Sequence, residues 1–277
     1  MGSPFRAFRR LTLYAGLTVA LLPLQILFLC ISRQLASTLP RLYHRLCCGV
    51  LGLDVEVIGT PPAAQPALYA ANHSSYLDVA ALGAAIQGSF VAKIEVGRWP
   101  IHGFLTRLQR TVLIDRRRMR VGNARAALAE RLAQGDRLVL FPEGTSSDGM
   151  RVMPFKSGCF AAVPGDAIVQ PVTIAYVRLD GVPLDDEVRP LVTWFGAMTL
   201  APHVWRMAGL GWIGVRLQFH QPVRPADFLS RKALTRHCQT VIAGGLAEAL
   251  ADRRARSAID AENEDQLGLL ALGRISI

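Results

Sequence analysis

Lysine is nearly missing from this chain of 277 residues: Lys93, Lys156 and Lys232 stand against 28 arginines. Cysteine is scarce and unpatterned. Cys30, Cys47, Cys48, Cys159 and Cys238 make no CxxC pair and no metal-ligand spacing, which argues against a structural zinc site and a disulfide scaffold, and their odd number suits a reducing compartment. Aromatic residues are 7% of the chain and do not interleave with the arginines, so the stacking stripe of a nucleic-acid binder is lacking. Charged residues make up 19%, whereas apolar ones reach 51%, with mean hydropathy +0.28. Disordered, collagen-like and low-complexity chains are excluded by that balance. What charge there is has one sign, net +10 with a pI near 10.0. An anionic partner follows, and lipid headgroups fit so apolar a chain better than nucleic acid does.

From Leu11 to Ser32 the chain carries no charge for 22 residues, between Arg9-Arg10 and Arg33. At about 1.5 Å per residue that length crosses a hydrocarbon core of about 30 Å. It exceeds the apolar run of a cleaved secretory signal, so residues 1–50 are expected to be a retained membrane-anchoring helical segment. Pro23 sits in its middle and favours a kink, and arginines flank both ends, so the charge rule gives no orientation. A spanning helix and a kinked, half-inserted anchor both remain open. Gln34 to Val50 follows, with Leu35, Leu39, Leu42, Tyr43, Leu46 and Val50 spaced between Arg41, His44 and Arg45. Such spacing suits an amphipathic helix at the interface, His44 with it, or a surface helix packed on the main domain.

Beyond Leu51 short β-rich runs alternate with helical stretches, the pattern of an α/β domain over residues 51–277. Strands are expected at 54–58, 67–71, 89–92, 111–114, 137–141, 169–175, 191–195 and 215–219. Helices are expected at 77–86, 98–109, 121–133, 157–163 and 227–256. The tail after Arg256 has no clear pattern.

Leu68 to Asp78 reads LYAANHSSYLD, an apolar strand followed by a polar turn and a helix-like run. Two residues five apart on a helix point about 140° away from each other. His73 and Asp78 therefore meet only if His73 lies in the turn, a serine caps the helix and Asp78 falls in its first turns. The carboxylate then holds one imidazole nitrogen and leaves the other as a base. No protein nucleophile accompanies the pair, so the substrate's own hydroxyl can fill that role. Leu138 to Asp148 reads LVLFPEGTSSD, a second buried strand ending in a glycine-containing turn. Two polar turns at the carboxyl ends of apolar strands are what an α/β sheet needs to form one crevice. Gly144 allows close backbone approach there, Glu143 and Thr145 offer hydrogen bonds, and Pro142 stiffens the turn.

These segments together resemble the glycerolipid acyltransferases, whose best-known members act on lysophosphatidic acid. Four ordered blocks carry the resemblance: Asn72-His73-Ser74-Ser75-Tyr76-Leu77-Asp78, Gly103 to Arg116, Phe141-Pro142-Glu143-Gly144-Thr145, and Val169 to Ile174. The resemblance implies a mostly parallel central sheet flanked by helices. It also implies His73 as the base for a lysolipid hydroxyl, Asp78 as its orienter, and an acyl thioester of acyl carrier protein or CoA as donor. Arg116, Glu143, Gly144 and Thr145 would shape the acceptor site, and Lys93 and Lys156, in flanking family-like positions, would either bind an anionic group or stand solvated at the surface. No metal or held cofactor is implied, and the expected place is the inner (cytoplasmic) membrane with the catalytic domain facing the cytoplasm.

One departure bears on the acceptor. Members acting on lysophosphatidic acid often carry arginine directly after Glu-Gly-Thr, where this chain has Ser146, and a phosphate dianion thereby loses a bidentate partner. The run 141–158, with Trp194-Phe195-Gly196 and residues 200–205, more closely resembles the lyso-ornithine lipid acyltransferases, so lyso-ornithine lipid is the expected acceptor and 1-acyl-glycerol-3-phosphate the alternative. A thioesterase or lipid hydrolase with Cys159 or a serine as nucleophile is a rival, although the sequence has no GxSxG elbow. A basic membrane-bound adaptor or nucleic-acid binder using Arg116, Arg117, Arg118 and Arg120 is a further one.

Overall fold

The computed structural model describes residues 2–64, 67–98, 100–114, 123–161 and 163–272. Two long helices lead. α1 spans Pro4–Ile31 and α2 Arg33–Leu51, joined by Ser32 alone. Ser32 is extended (φ −155°); its N–H donates to Phe28 O and its hydroxyl accepts from Gln34 N–H. One residue thus closes one helix and caps the next. α2 stops at Gly52, whose φ of +78° suits glycine and whose absent Cβ leaves room for the Arg10 guanidinium.

α1 runs unbroken through Pro23 and is long and apolar enough to cross a membrane by length and composition. Two of its polar side chains, Arg10 and Gln25, are nevertheless buried against the rest of the protein. Ser3 N–H donates to Gly209 O, and Arg10 donates to the carbonyls of Ala208, Leu210 and Gly211. Near the other end, Gln25 Nε2 donates to Ala36 O at 3.0 Å and Leu108 O at 2.8 Å. The helix is therefore strapped along the α/β domain at both ends, while Phe5, Phe8, Val19, Leu27 and Ile31 stay exposed.

The remaining elements are β1 (Leu53–Gly59), β2 (Ala67–Ala71), α3 (Leu77–Ala85), β3 (Ser89–Lys93), α4 (Pro100–Leu108), β4 (Val112–Ile114), α5 (Asn123–Ala133), β5 (Leu138–Leu140), β6 (Ile168–Leu179), β7 (Val182–Pro183), α6 (Leu200–Ala208), β8 (Ile213–Phe219) and α7 (Arg231–Leu272). The sheet order is β1-β8-β6-β2-β5-β3-β4, with β7 on β6. All pairs along that path are parallel except β6 with β8, so the expected mostly parallel sheet flanked by helices is what the chain forms. β2 is buried on both faces, which explains its continuous apolar run. Tyr69 and Ala71 point into the core under α3 and α1, and Leu68 and Ala70 into the core under α5 and α7.

Three expectations need correction. Residues 191–195 form no strand: a 3-10 turn at Arg189–Leu191 leads into a loop whose Trp194 N–H donates to Ser74 O and whose Thr193 hydroxyl donates to Arg189 O. The run is apolar because it is buried as a cover over the polar turn after β2, and Val192 and Thr193 are fully enclosed. Residues 200–208, left without an element by sequence, are α6. His44 is not at an interface but buried beside Tyr43 and Phe90, with Gln109 on its Nε2, and burial lowers it to about 4.

Candidate active site

β2 and β5 pair in parallel with Ala70 opposite Leu140. The turns that leave their carboxyl ends, 72–76 and 141–149, therefore lie side by side at one edge of the sheet, the place where open α/β sheets form ligand crevices.

The imidazole of His73 reaches Asp78 as the spacing required. Nδ1 lies 2.8 Å from Asp78 Oδ2, and the same oxygen accepts the N–H groups of Ser74 and Ser75 at 2.8 and 3.0 Å. The other oxygen accepts the Tyr176 hydroxyl at 2.6 Å. Asp78 has no exposed surface, and a fully buried carboxylate is tolerable because these donors compensate its charge. With the acceptor at Nδ1, that nitrogen carries the proton and Nε2 holds a lone pair. The His73 side chain is 22% exposed, and Nε2 has no hydrogen-bond partner among the described residues. Its ring lies against Phe141, with centroids 4.1 Å apart and planes at 17°, and Phe141 in turn stacks on Phe90. The ring cannot swing away without losing that contact. No serine caps α3: the N-cap position is Tyr76, which makes no side-chain cap bond, and Ser75 lies one residue earlier, its hydroxyl accepting Leu77 N–H at 3.3 Å.

The backbone of His73 is clamped by the second turn. Its N–H donates to Glu143 Oε1 at 2.7 Å, and its carbonyl accepts from the N–H of Ser147 at 2.8 Å and from the Ser147 hydroxyl at 3.2 Å. Glu143 Oε2 accepts Met153 N–H at 2.9 Å. Both oxygens of this buried carboxyl are thus committed to backbone donors. Desolvation pushes the group up to about 7 in spite of them, helped by the charges of Asp78 and Asp148. Gly144 has φ +76°, which an L side chain rarely adopts, and its N–H donates to Phe141 O. Asn72, also buried, bonds both backbone groups of Ile174: its Nδ2 donates to the carbonyl at 2.9 Å and its Oδ1 accepts the N–H at 2.8 Å. β2's exit and β6 are locked in register by that amide.

The other sequence-predicted site residues frame this centre more loosely. Thr145 is exposed on the second turn, and Lys156 is exposed just before the 3-10 turn at 157–160, its N–H donating to Pro142 O. Lys93 is the exposed last residue of β3, paired with Ile114 of β4. Arg116, like Arg117, Arg118 and Arg120, lies outside the described residues. Tyr176 is the functional neighbour that sequence reasoning missed. It sits 98 positions from Asp78, but it shares a strand face with Ile174 at period 2, and that alternation is the signal that could have found it.

A second polar cluster borders the first. The Tyr76 hydroxyl lies 3.0 Å from His203 Nδ1, while His203 Nε2 faces the carbonyls of Pro190 and Thr193 at 3.0 and 2.9 Å. Two carbonyls require the proton on Nε2, so Tyr76 donates to Nδ1. The cluster ties α6 to the turn after β2.

The Acyltransferase family model matches residues 54–175, the stretch that holds both turns. The chain belongs to this acyltransferase family and is an acyltransferase. It is 37% identical to the lyso-ornithine lipid O-acyltransferase of Brucella abortus (strain 2308), over 90% of this chain and 96% of that protein. The corresponding enzyme of Rhizobium meliloti (strain 1021) is also 37% identical, over 88% of this chain and 87% of its own. A 1-acyl-sn-glycerol-3-phosphate acyltransferase of Neisseria meningitidis is 32% identical over 67% of this chain and 73% of its own. The crystal structure of the 1-acyl-sn-glycerophosphate acyltransferase of Thermotoga maritima matches the fold with TM-score 0.65 at 23% identity, over 88% of this chain and 97% of that one.

Proposed function

We propose that the chain is a membrane-associated O-acyltransferase that moves a fatty acyl group from an acyl thioester, of acyl carrier protein or CoA, to the free hydroxyl of lyso-ornithine lipid. The observation that carries this reading is the imidazole of His73, fixed at Nδ1 by Asp78 and open at Nε2. Nε2 takes the hydroxyl proton as the lysolipid oxygen attacks the thioester carbonyl. The C–S bond breaks, the imidazolium returns the proton to the departing thiolate, and an ester forms without a covalent acyl-enzyme. In this scheme Asp78 orients His73 through the Nδ1 hydrogen bond. Glu143 is a positioning residue, since both its oxygens hold backbone. Thr145 and Ser146 have N–H groups with no acceptor among the described residues, which makes them the candidates to stabilise the oxyanion. Lys93, Lys156 and Arg116 remain candidates for binding an anionic group of donor or acceptor.

The acceptor is inferred from two sources. The relatives named for lyso-ornithine lipid align over most of the chain, and Ser146 follows Glu143-Gly144-Thr145 where a phosphate-binding arginine would serve a phosphomonoester. Membrane association rests on α1. Because both of its ends are bonded to the α/β domain, its exposed apolar side suits partial insertion into one leaflet better than an isolated crossing. Cysteines that form no disulfide among the described residues suit the cytoplasmic face of the inner membrane.

Purified protein given one labelled acyl donor and a panel of lysolipids tests the reading. Esterification of lyso-ornithine lipid in preference to lysophosphatidic acid is the expected result. Consumption of lysophosphatidic acid alone would replace it with phosphatidic acid synthesis.

A further inference from the structure

A groove of about 400 Å³ opens between α2, the C-terminal end of α3 and β1. Its floor is apolar, built from Leu53, Val55 and Val57 of the edge strand, and Arg41 and Arg45 stand along its rim. One turn apart on α2, the two arginines direct Nε–H to the same carbonyl, Ala84 O, at 3.3 and 3.1 Å. That use explains one N–H of each guanidinium. The remaining N–H groups of both have no acceptor among the described residues, and no described carboxylate forms an ion pair with either. The charges acting on Arg41 are those of Arg45 and Arg137, both positive.

An apolar floor beneath uncompensated guanidinium forks fits an amphiphile with an anionic head, because the planar fork matches phosphate oxygens in pairs. The surroundings say where such a molecule comes from. Leu35, Leu42 and Leu46 are exposed on α2 beside the arginines, and α1, which packs on α2, also has an exposed apolar side. The groove therefore opens at the border of the surface that would face acyl chains, at the depth where headgroups lie.

We propose that this groove is a docking site for an anionic glycerophospholipid, whose phosphate is gripped by Arg41 and Arg45 while the start of its chains lies on the β1 floor. The lipid held there is neither acceptor nor product of the reaction proposed above. α3 separates the groove from His73, and its nine residues span about 14 Å. The site fixes the depth and tilt of the enzyme on the bilayer.

Flotation of full-length protein with phosphatidylcholine vesicles, with and without phosphatidylglycerol, tests this. Arg41→Gln/Arg45→Gln keeps amide groups that can reach Ala84 O but removes both charges. Gly49→Phe is the decisive variant. Gly49 lies on the rim, and a Cβ there meets nothing within 4 Å, so the ring fills the groove at unchanged charge and at no cost to the helix. Arg6→Gln/Arg9→Gln removes two charges elsewhere. Two arginines at a lipid surface correspond to about 30-fold in binding. A phosphatidylglycerol preference of that order is expected for the wild type and for Arg6→Gln/Arg9→Gln, and a fall to about twofold for the arginine pair and for Gly49→Phe, with thermal melts unchanged.

The proposal is overturned if Gly49→Phe keeps the full preference while every loss of charge lowers it alike, since diffuse attraction then explains the binding. It falls too if Gly49→Phe leaves lipid binding intact but raises KM for acyl-acyl carrier protein, which would make the groove a protein dock. Displacement of the protein from vesicles by inorganic phosphate, beyond chloride of equal ionic strength, would identify a free-ion site and equally overturn it.

Discussion

Asp78→Asn removes the negative charge beside His73 while keeping the shape that holds it. The amide has two orientations. With its oxygen in the place of Oδ2, it still accepts from Ser74 N–H, Ser75 N–H and His73 Nδ1–H, and its NH2 faces Tyr176, whose hydroxyl turns to accept. With its nitrogen there, two buried backbone donors lose their acceptor, at about 1–3 kcal/mol each. The first orientation wins by that margin, so the imidazole keeps its tautomer and direction. What disappears is the charge-assisted part of the hydrogen bond, about 1–2 kcal/mol, or about 5- to 30-fold in kcat. In serine-protease triads the same change costs about 10⁴-fold because the wrong tautomer results. Initial rates of acyl transfer at saturating donor and acceptor, measured beside thermal melts, decide the matter. A loss as deep as that of His73→Ala, with an unchanged melt, would refute the argument that the serine N–H groups orient the amide.

His73→Ala itself should lower kcat by about 10²-fold or more while the protein stays folded and bound to vesicles; retention of a tenth of the wild-type rate rules His73 out as the base. Glu143→Gln leaves an amide N–H against one backbone donor, His73 or Met153, and should cost about 1–3 kcal/mol of stability with a fall in kcat and little change in KM. Since Glu143 ionises near 4.5 when unfolded and about 7 when folded, its protonation favours the native state below pH 4.5, and that contribution is lost as pH rises through 7. The melting-point advantage of wild type over Glu143→Gln should therefore shrink across that window, and a gap independent of pH would contradict the shift. Arg10→Met strips three carbonyls of their donor and should cost about 3 kcal/mol, roughly 10 °C in Tm, read by calorimetry in detergent. Cys159→Ser should transfer acyl groups at near wild-type kcat; a dead variant with an unchanged melt would revive the thioesterase reading.

How far the site was legible depended on sequence distance. His73 and Asp78 lie within one strand-turn-helix unit, so helical geometry alone says they meet only with His73 in the turn, and they do. The second turn was legible as a partner because β2 and β5 are apolar enough to be buried and parallel, which puts their carboxyl ends together. What Glu143 does there was not legible. A carboxylate in a glycine turn reads as a ligand for substrate, and only the packing shows it bonded to the N–H of a residue 70 positions away. The same holds for residues 191–195, whose apolar run carries burial but not the absence of a partner strand.

By itself, then, the sequence determined the alternation of strand and helix from β1 to β5, the apolar length of α1 and the imidazole–carboxylate pair, because each depends on neighbours a few residues apart. Tertiary structure alone decided that α1 lies strapped to the domain through Arg10 and Gln25, that Tyr176 completes the shell around Asp78, and that Glu143 holds backbone. Those contacts join residues that the chain brings together only once the sheet has stacked its strands out of sequence order, and no local periodicity encodes them.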